Sequence, residues 1–323
     1  VFFRVEHRRF MVPIHPHASP TRLPFGCVEA CPACRHRRLS PAASLAAKFT
    51  WVERQLWEWR DWIEPVRTPA PARRLGYRER VSLRTVWLRD AWHFGLSHRD
   101  DLIPIPDCPV HSDRVRAMLR VLAGVLPNAE RFPMAFYVQS GGQATLVLKS
   151  NRTPDLAWLT PAVETALAAT GIDGLWLNLH PSAGVRLFSK RGWRRLWGNP
   201  ESRNSLGLRH GPATFQQVLP ELHQRSMAEA VRFLNPGPAS AVLDLYCGHG
   251  ATLACWTHRG AATLGVELGG ESVEYARRNA PAATVLRGAC TTRLPQLRDW
   301  VARYPRPLVY LNPPRTGLEP AVL

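Results

Sequence analysis

The second half of the chain repeats a short apolar run, a Gly- or Pro-rich turn and a helical stretch. The strand-bearing pieces are "AVLDLYCGHG", "ATLGVELGG", "ATVLRGA" and "PLVYLNPPR". Apolar runs that alternate with helices are what a parallel, doubly wound sheet with both faces covered demands, and few other architectures accept them. The spacing predicts strands at about 241–246, 262–267, 283–287 and 307–311. A helix from Pro220 to Leu234, with Leu222, Met227, Val231 and Leu234 on one side, leads into the first of them.

The turns in this pattern carry the chemistry. In "DLYCGHG", Gly248 and Gly250 let the backbone turn tightly and approach a ligand. Glu267 ends the next strand, where a carboxylate can accept hydrogen bonds from two ribose hydroxyls. The loop lacks the third glycine of a dinucleotide fingerprint and the Lys of a P-loop. That combination points to S-adenosylmethionine rather than to a nicotinamide or a nucleoside triphosphate. "NPPR" (Asn312–Arg315) follows the fourth strand, at the carboxyl edge where open α/β sheets bind substrates.

The first half reads differently. Leu45, Phe49, Val52, Leu56 and Trp59 make one apolar stripe on a helix from Pro41 to about Trp62, ended by Pro65, Pro69 and Pro71. "YRERVSLRTVWL", "AWHFGLS", "MAFYVQSG" and "ATLVLKS" alternate as strands, and Gly141-Gly142 marks a hairpin between the last two. The expectation is an α+β domain with a largely antiparallel sheet, ending near residue 205. The chain opens on Val1 and stops at "GLEPAVL", where Glu319 to Leu323 read as the first turn of a helix, so a fragment is expected.

Charge narrows the partner. The 42 Lys and Arg outnumber the 25 Asp and Glu, giving a formal +17, which suits a polyanion, and nucleic acid before membrane. No apolar run approaches the roughly 20 residues of a membrane span, and no signal-peptide pattern opens the chain. Arg191, Trp193, Arg194 and Arg195 in "KRGWRRLWG" offer phosphate contacts and a stacking face, although a solvated basic hairpin with packed tryptophans reads the same way.

Of the seven cysteines, Cys27, Cys31 and Cys34 fall within "GCVEACPAC". Three thiolates so close need a fourth ligand, and Cys108 in the rigid turn "PIPDCPVH" is the best candidate, with His36 and His111 as substitutes. Four Cys ligands suit either a structural zinc or a [4Fe–4S] cluster. Cys247, Cys255 and Cys290 read as small core residues.

Five blocks occur in one order: "CPACRHRRLSPAASLAAKFTWVERQL", "YRERVSLRTVWL" with "GLSHRDDLIPIPDCPVH", "TFQQVLPELHQRSMAEAV", "VLDLYCGHGATL" and "YLNPPRTGLEPAVL". In this the chain resembles the RNA uracil-5 methyltransferases, in the branch that carries a [4Fe–4S] cluster and modifies large-subunit ribosomal RNA. The resemblance implies an α/β chain in which residues 206–323 form a class I, Rossmann-like S-adenosylmethionine-dependent methyltransferase domain, incomplete after about the fourth strand. It implies a central α+β iron–sulfur and RNA-binding domain over 27–205, and a remnant of a β-barrel region or a linker over 1–26.

By the same resemblance, Cys27, Cys31, Cys34 and Cys108 match the cluster ligands. Gln217, Tyr246, Glu267 and Asn312 fall where that family contacts S-adenosylmethionine. The expected reaction is methylation of uracil C5 in RNA, most plainly 23S ribosomal RNA, by a cytoplasmic monomer. The family adds a Cys thiolate to uracil C6, which makes C5 nucleophilic, and a Glu then removes the C5 proton. Both residues follow "PPR" in the family, and the chain stops before either.

Four departures bear on this. The gap between Cys27 and Cys31 is shorter than usual, Asn312 replaces Asp, Ala251 replaces a frequent Asn, and Ala289 stands near a polar position. Two other readings therefore compete: an exocyclic-amine N-methyltransferase that uses Asn312-Pro313-Pro314, and a degenerate, non-catalytic iron–sulfur RNA-binding protein.

Overall fold

In the computed structural model, which describes residues 22–99, 101–184 and 186–322, two sheets organise the chain. Nearly all of the segment expected to be a β-barrel remnant, residues 1–21, lies outside the described residues.

Helix α1 (Pro41–Gln55) is capped by Ser40, whose hydroxyl accepts the Ala43 N–H, and Pro41 occupies the first turn, where a missing N–H costs nothing. The expected single helix to Trp62 breaks at Leu56 and continues as a 3-10 helix, Trp57–Trp62. Its Trp57, Trp59 and Trp62 are exposed, while Leu45, Phe49, Val52 and Leu56 of the expected stripe are half-buried.

Strands β1 (Arg80–Leu88), β2 (Ala91–His98) and β3 (Asp101–Pro104) form a meander. Helix α2 (Asp113–Val125), capped by Ser112, precedes β4 (Met134–Ser140) and β5 (Gln143–Leu148). The β4–β5 hairpin turns at Gly141-Gly142, with Ser140 paired to Gln143, as the sequence predicts. Helix α3 (Pro161–Ala169) then carries the chain over to β6 (Gly174–Leu179), parallel to β5, and β7 (Trp193–Gly198) closes the edge. The order is β3-β2-β1-β4-β5-β6-β7, antiparallel except for β5–β6. Val115, Met118, Leu119 and Leu122, at three- and four-residue steps on α2, pack with Leu83, Phe94, Tyr137, Leu146 and Leu177. Each such side chain contributes about 2 kcal/mol by leaving water.

A small ribbon, β8 (Ser202–Arg203) with β9 (Arg209–His210), links the two halves. Helix α4 runs Pro220–Leu234 and ends on left-handed Asn235. The second sheet holds β10 (Ala241–Leu245), β11 (Ala262–Glu267), β12 (Thr284–Arg287) and β13 (Pro307–Leu311), all parallel, in the order β12-β11-β10-β13. Between them lie α5 (Ala251–His258), α6 (Gly270–Asn279) and α7 (Cys290–Val301). β10 is buried at all five positions, whereas the edge strand β13 exposes Val309 and Leu311. The expected first helical turn at Glu319 is a 3-10 turn instead, Pro320–Val322.

Candidate functional site

The carboxyl ends of β10, β11 and β13 open into one cleft of about 2160 Å³. Gln217, Tyr246, Gly248, Glu267 and Asn312 all line it, so five of the six residues predicted to hold a cofactor lie in one cleft lining. Gly250 does not. It adopts φ +87°, and a Cβ there would lie 2.9 Å from Ala276 Cα, so this glycine lets α5 approach α6. Gly248 adopts φ +57° with open space where its Cβ would be, the geometry of a backbone cleared for a ligand.

Glu267 organises this lining. Its Oε2 accepts the Gly248 N–H at 3.1 Å, and its Oε1 accepts the Gly269 N–H at 2.6 Å. Each oxygen keeps a second lone pair, so two ribose hydroxyls can still donate to it. Below it, Asp244 is fully buried and accepts the Trp256 Nε1–H at 2.9 Å; burial pushes its carboxyl up to about 7 against the hydrogen bonds from Thr252 and Trp256. Asn312 is tied to β10 by its N–H to Leu245 O at 3.4 Å. Ala251 and Ala289 also face the cleft, leaving room where polar side chains were expected.

Cys27, Cys31, Cys34 and Cys108 also line the cleft, none of them in a disulfide. The loops carrying Cys27 and Cys108 touch. Gly26 has φ +78°, and a Cβ there would sit 2.1 Å from Asp107 O, so only glycine permits the approach. Burial raises the Cys27 thiol against the pull of Arg37, and Cys108 and Cys31 raise it further. Cys34 is raised by burial and by Cys108, Cys31 and Cys27, against Arg78. Two buried polar atoms nearby lack partners, His111 Nδ1 and Arg37 Nη1. Even so, among the described residues no three His, Cys, Asp or Glu side chains converge closely enough to hold a metal ion.

Arg191, Trp193, Arg194 and Arg195 lie elsewhere, at the β7 edge of the larger sheet and outside the cleft lining. Arg194 and Arg195 are exposed, but Trp193 packs edge-on against Trp176 and tilts onto Phe188. The basic residues that do line the cleft are Arg22, Arg35, Arg37, Lys48, Arg73, Arg74, Arg78, Arg80 and Arg315, against only Glu267 and Glu319 among the acids. Most come from segments without a motif of their own. Only the excess of Arg signalled them.

Cys247, Cys255 and Cys290 are poor thiolates. Burial raises all three, and Cys247 and Cys290 are almost completely enclosed. Among the described residues no helix is long and apolar enough to cross a membrane.

No protein-family profile matches the chain. It is 28% identical over 319 residues to the 23S rRNA (uracil(1939)-C(5))-methyltransferase RlmD of Acidithiobacillus ferrooxidans, covering 93% of this chain and 69% of that protein. It is 28% identical over 262 residues to the RlmD of Aromatoleum aromaticum, covering 77% of this chain and 59% of that protein. The chain therefore spans about three-fifths to two-thirds of the length of these relatives. Among solved structures it is similar to the Pyrococcus abyssi tRNA (uracil-54, C5)-methyltransferase, determined with S-adenosyl-L-homocysteine. The TM-score is 0.63 at 18% identity, over 88% of this chain and 70% of that one. The fold is that of an S-adenosylmethionine-dependent methyltransferase.

Proposed function

We propose that this protein methylates C5 of uracil in RNA, with 23S ribosomal RNA as the substrate and S-adenosylmethionine as the methyl donor. The observation that carries this is the single cleft. Its lining offers Glu267, the open backbone at Gly248, Gln217 and Asn312, together with eight arginines.

S-adenosylmethionine supplies an electrophilic methyl on a sulfonium. The residues present fit it: Glu267 would take the ribose hydroxyls, the backbone at Gly248 has open space beside it, and Gln217 and Asn312 would offer amide groups from the cleft lining. The arginines hold phosphates, and a target base must leave its stack to enter a cleft of this depth. Uracil C5 is a weak nucleophile, so a thiolate adding to C6 is the chemistry this substrate needs. The enclosed thiols of Cys247 and Cys290 do not supply it.

Cys27, Cys31, Cys34 and Cys108 would hold a [4Fe–4S] cluster that braces the loops around the cleft. Four free thiols in the cleft lining, with two buried polar atoms close by that have no partner among the described residues, support a bound group there.

Nucleoside mass spectrometry of ribosomal RNA from a deletion strain tests the reading. Loss of one 5-methyluridine is expected; loss of a methylated adenine, cytosine or guanine would transfer the assignment to amino-group methylation through Asn312-Pro313-Pro314. Wild-type protein that binds no S-adenosylmethionine would leave only an RNA-binding role.

A further inference from the structure

Tyr246 is out of place by its own conformation. It follows β10 with φ +62°, a left-handed backbone that bulky residues rarely adopt and that persists only when the surroundings over-determine it. Its ring hydroxyl donates to Glu319 Oε2, and the Cys290 thiol lies within hydrogen-bonding reach of the same residue. Glu319 comes from the far side of the "NPPR" loop.

That loop is a strap fixed at both ends. At its start the Asn312 N–H donates to Leu245 O at 3.4 Å. Inside it, the Gly317 N–H donates to Pro314 O at 2.9 Å. At its end Glu319 takes the Tyr246 hydroxyl, and the turn that follows is closed by the Val322 N–H to Glu319 O at 2.8 Å. Val322 packs against the small core that also receives Tyr246 and Trp300. Both anchors therefore converge on adjacent residues, Leu245 and Tyr246, at the tip of β10. The free span, residues 312–318, includes Asn312, Pro313, Pro314 and Arg315 of the cleft lining.

We infer that Glu319 is a positioning residue: by fastening Tyr246 it holds both the strained turn after β10 and the Asn312–Arg315 strap in the register that receives the methyl donor. This rests on the reading that the cleft binds S-adenosylmethionine. A phenol between two walls has many rotations open to it, and a carboxylate acceptor selects one. Asn312 lies on the strap so fixed, so its side chain is aimed by a residue seven positions further along. Neither Tyr246 nor Glu319 needs to touch the reacting methyl for this.

The test titrates S-adenosyl-L-homocysteine into wild type, Glu319→Ala, Glu319→Gln, Tyr246→Phe and the Tyr246→Phe/Glu319→Ala double variant, with hydrogen exchange read over residues 312–318. Glu319→Ala and Tyr246→Phe should each weaken binding about tenfold, as loss of a hydrogen bond to a charged group does. The double variant should be no weaker than either single one, because both remove the same bond. Glu319→Gln, which keeps an acceptor oxygen, should recover most of the loss. Exchange over 312–318 should quicken in Glu319→Ala and Tyr246→Phe alone. Multiplying effects in the double variant, or exchange unchanged in both singles, would overturn the inference. Wild type that fails to bind the ligand would sink the cofactor reading instead, and hydrogen exchange would still decide whether Glu319 anchors the strap.

Discussion

Glu267 accepts the backbone N–H of Gly248 at 3.1 Å, joining the end of β11 to the turn after β10. The same carboxylate receives the Gly269 N–H, so one side chain sets the shape of two loops and still faces the cleft. Glu267→Ala should weaken S-adenosyl-L-homocysteine binding about 100-fold, from two lost hydrogen bonds to a charged acceptor. Glu267→Gln, which keeps one good acceptor, should lose about tenfold by the same reasoning. Titration calorimetry checks both, and equal affinities for the two variants would remove the carboxylate from the cofactor site.

Gly26→Ala should separate the loops that carry Cys27 and Cys108. The new Cβ meets Asp107 O at 2.1 Å in a left-handed backbone, a conflict worth on the order of 1–3 kcal/mol. Iron per protein after anaerobic purification should fall by at least half. Gly76→Ala, where φ is +67° but nothing lies within 4 Å, should load normally. Equal iron in the two variants argues against a shared Cys27–Cys108 site.

Asp244 should give the fold a pH dependence of definite sign. Burial raises its carboxyl from 3.8 to about 7, so the folded chain prefers the neutral acid. The stability this group allows is full below the unfolded value and is lost as pH rises through about 7. Asp244→Asn should therefore gain on wild type between pH 4 and 7 and keep a constant advantage above, with about 4 kcal/mol as the upper bound. Melting curves from pH 4 to 9 are the measurement; parallel curves would mean that Asp244 is ionised throughout.

The arginines of the cleft and those of β7 make opposite predictions for RNA. Arg73 and Arg74 are exposed in the cleft lining, whereas Arg194 and Arg195 stand on the outer edge of the larger sheet. Arg73→Ala/Arg74→Ala should reduce the salt slope of single-stranded RNA binding by about 1.4, two phosphate contacts at roughly 0.7 each. Arg194→Ala/Arg195→Ala should leave it near the wild-type value. The reverse result would place the RNA on β7.

Local pattern carried a large part of this molecule. β10, β11, β12 and β13 fall within a residue of the strands expected from apolar runs, and α4 falls on Pro220–Leu234 as its periodicity indicates. These elements are readable because burial on both faces, Pro at a first turn and Gly at a tight turn each impose a constraint within a few residues. The Gly141-Gly142 hairpin belongs with them.

Tertiary structure decided the rest, because each remaining feature joins residues distant in sequence. Gly248 and Gly250 look alike in "CGHG", yet one faces open space in the cleft and the other lets two helices touch, a difference set by Ala276 on α6. The parallel pairing of β6 with β5 depends on where α3 returns the chain, and no local pattern encodes it. The Trp57–Trp62 segment keeps a helical period but loses its partner surface, so its tryptophans stay exposed. "KRGWRRLWG" reads equally as a nucleic-acid face or a solvated basic hairpin, and only the packing shows that its Trp193 lies against Trp176 and Phe188 while the cleft lining draws its arginines from other segments. The sequence alone determined which elements form and which chemistries they carry. Only the packing of the two sheets decided which of those residues face one another, since contact is a property of distance in space.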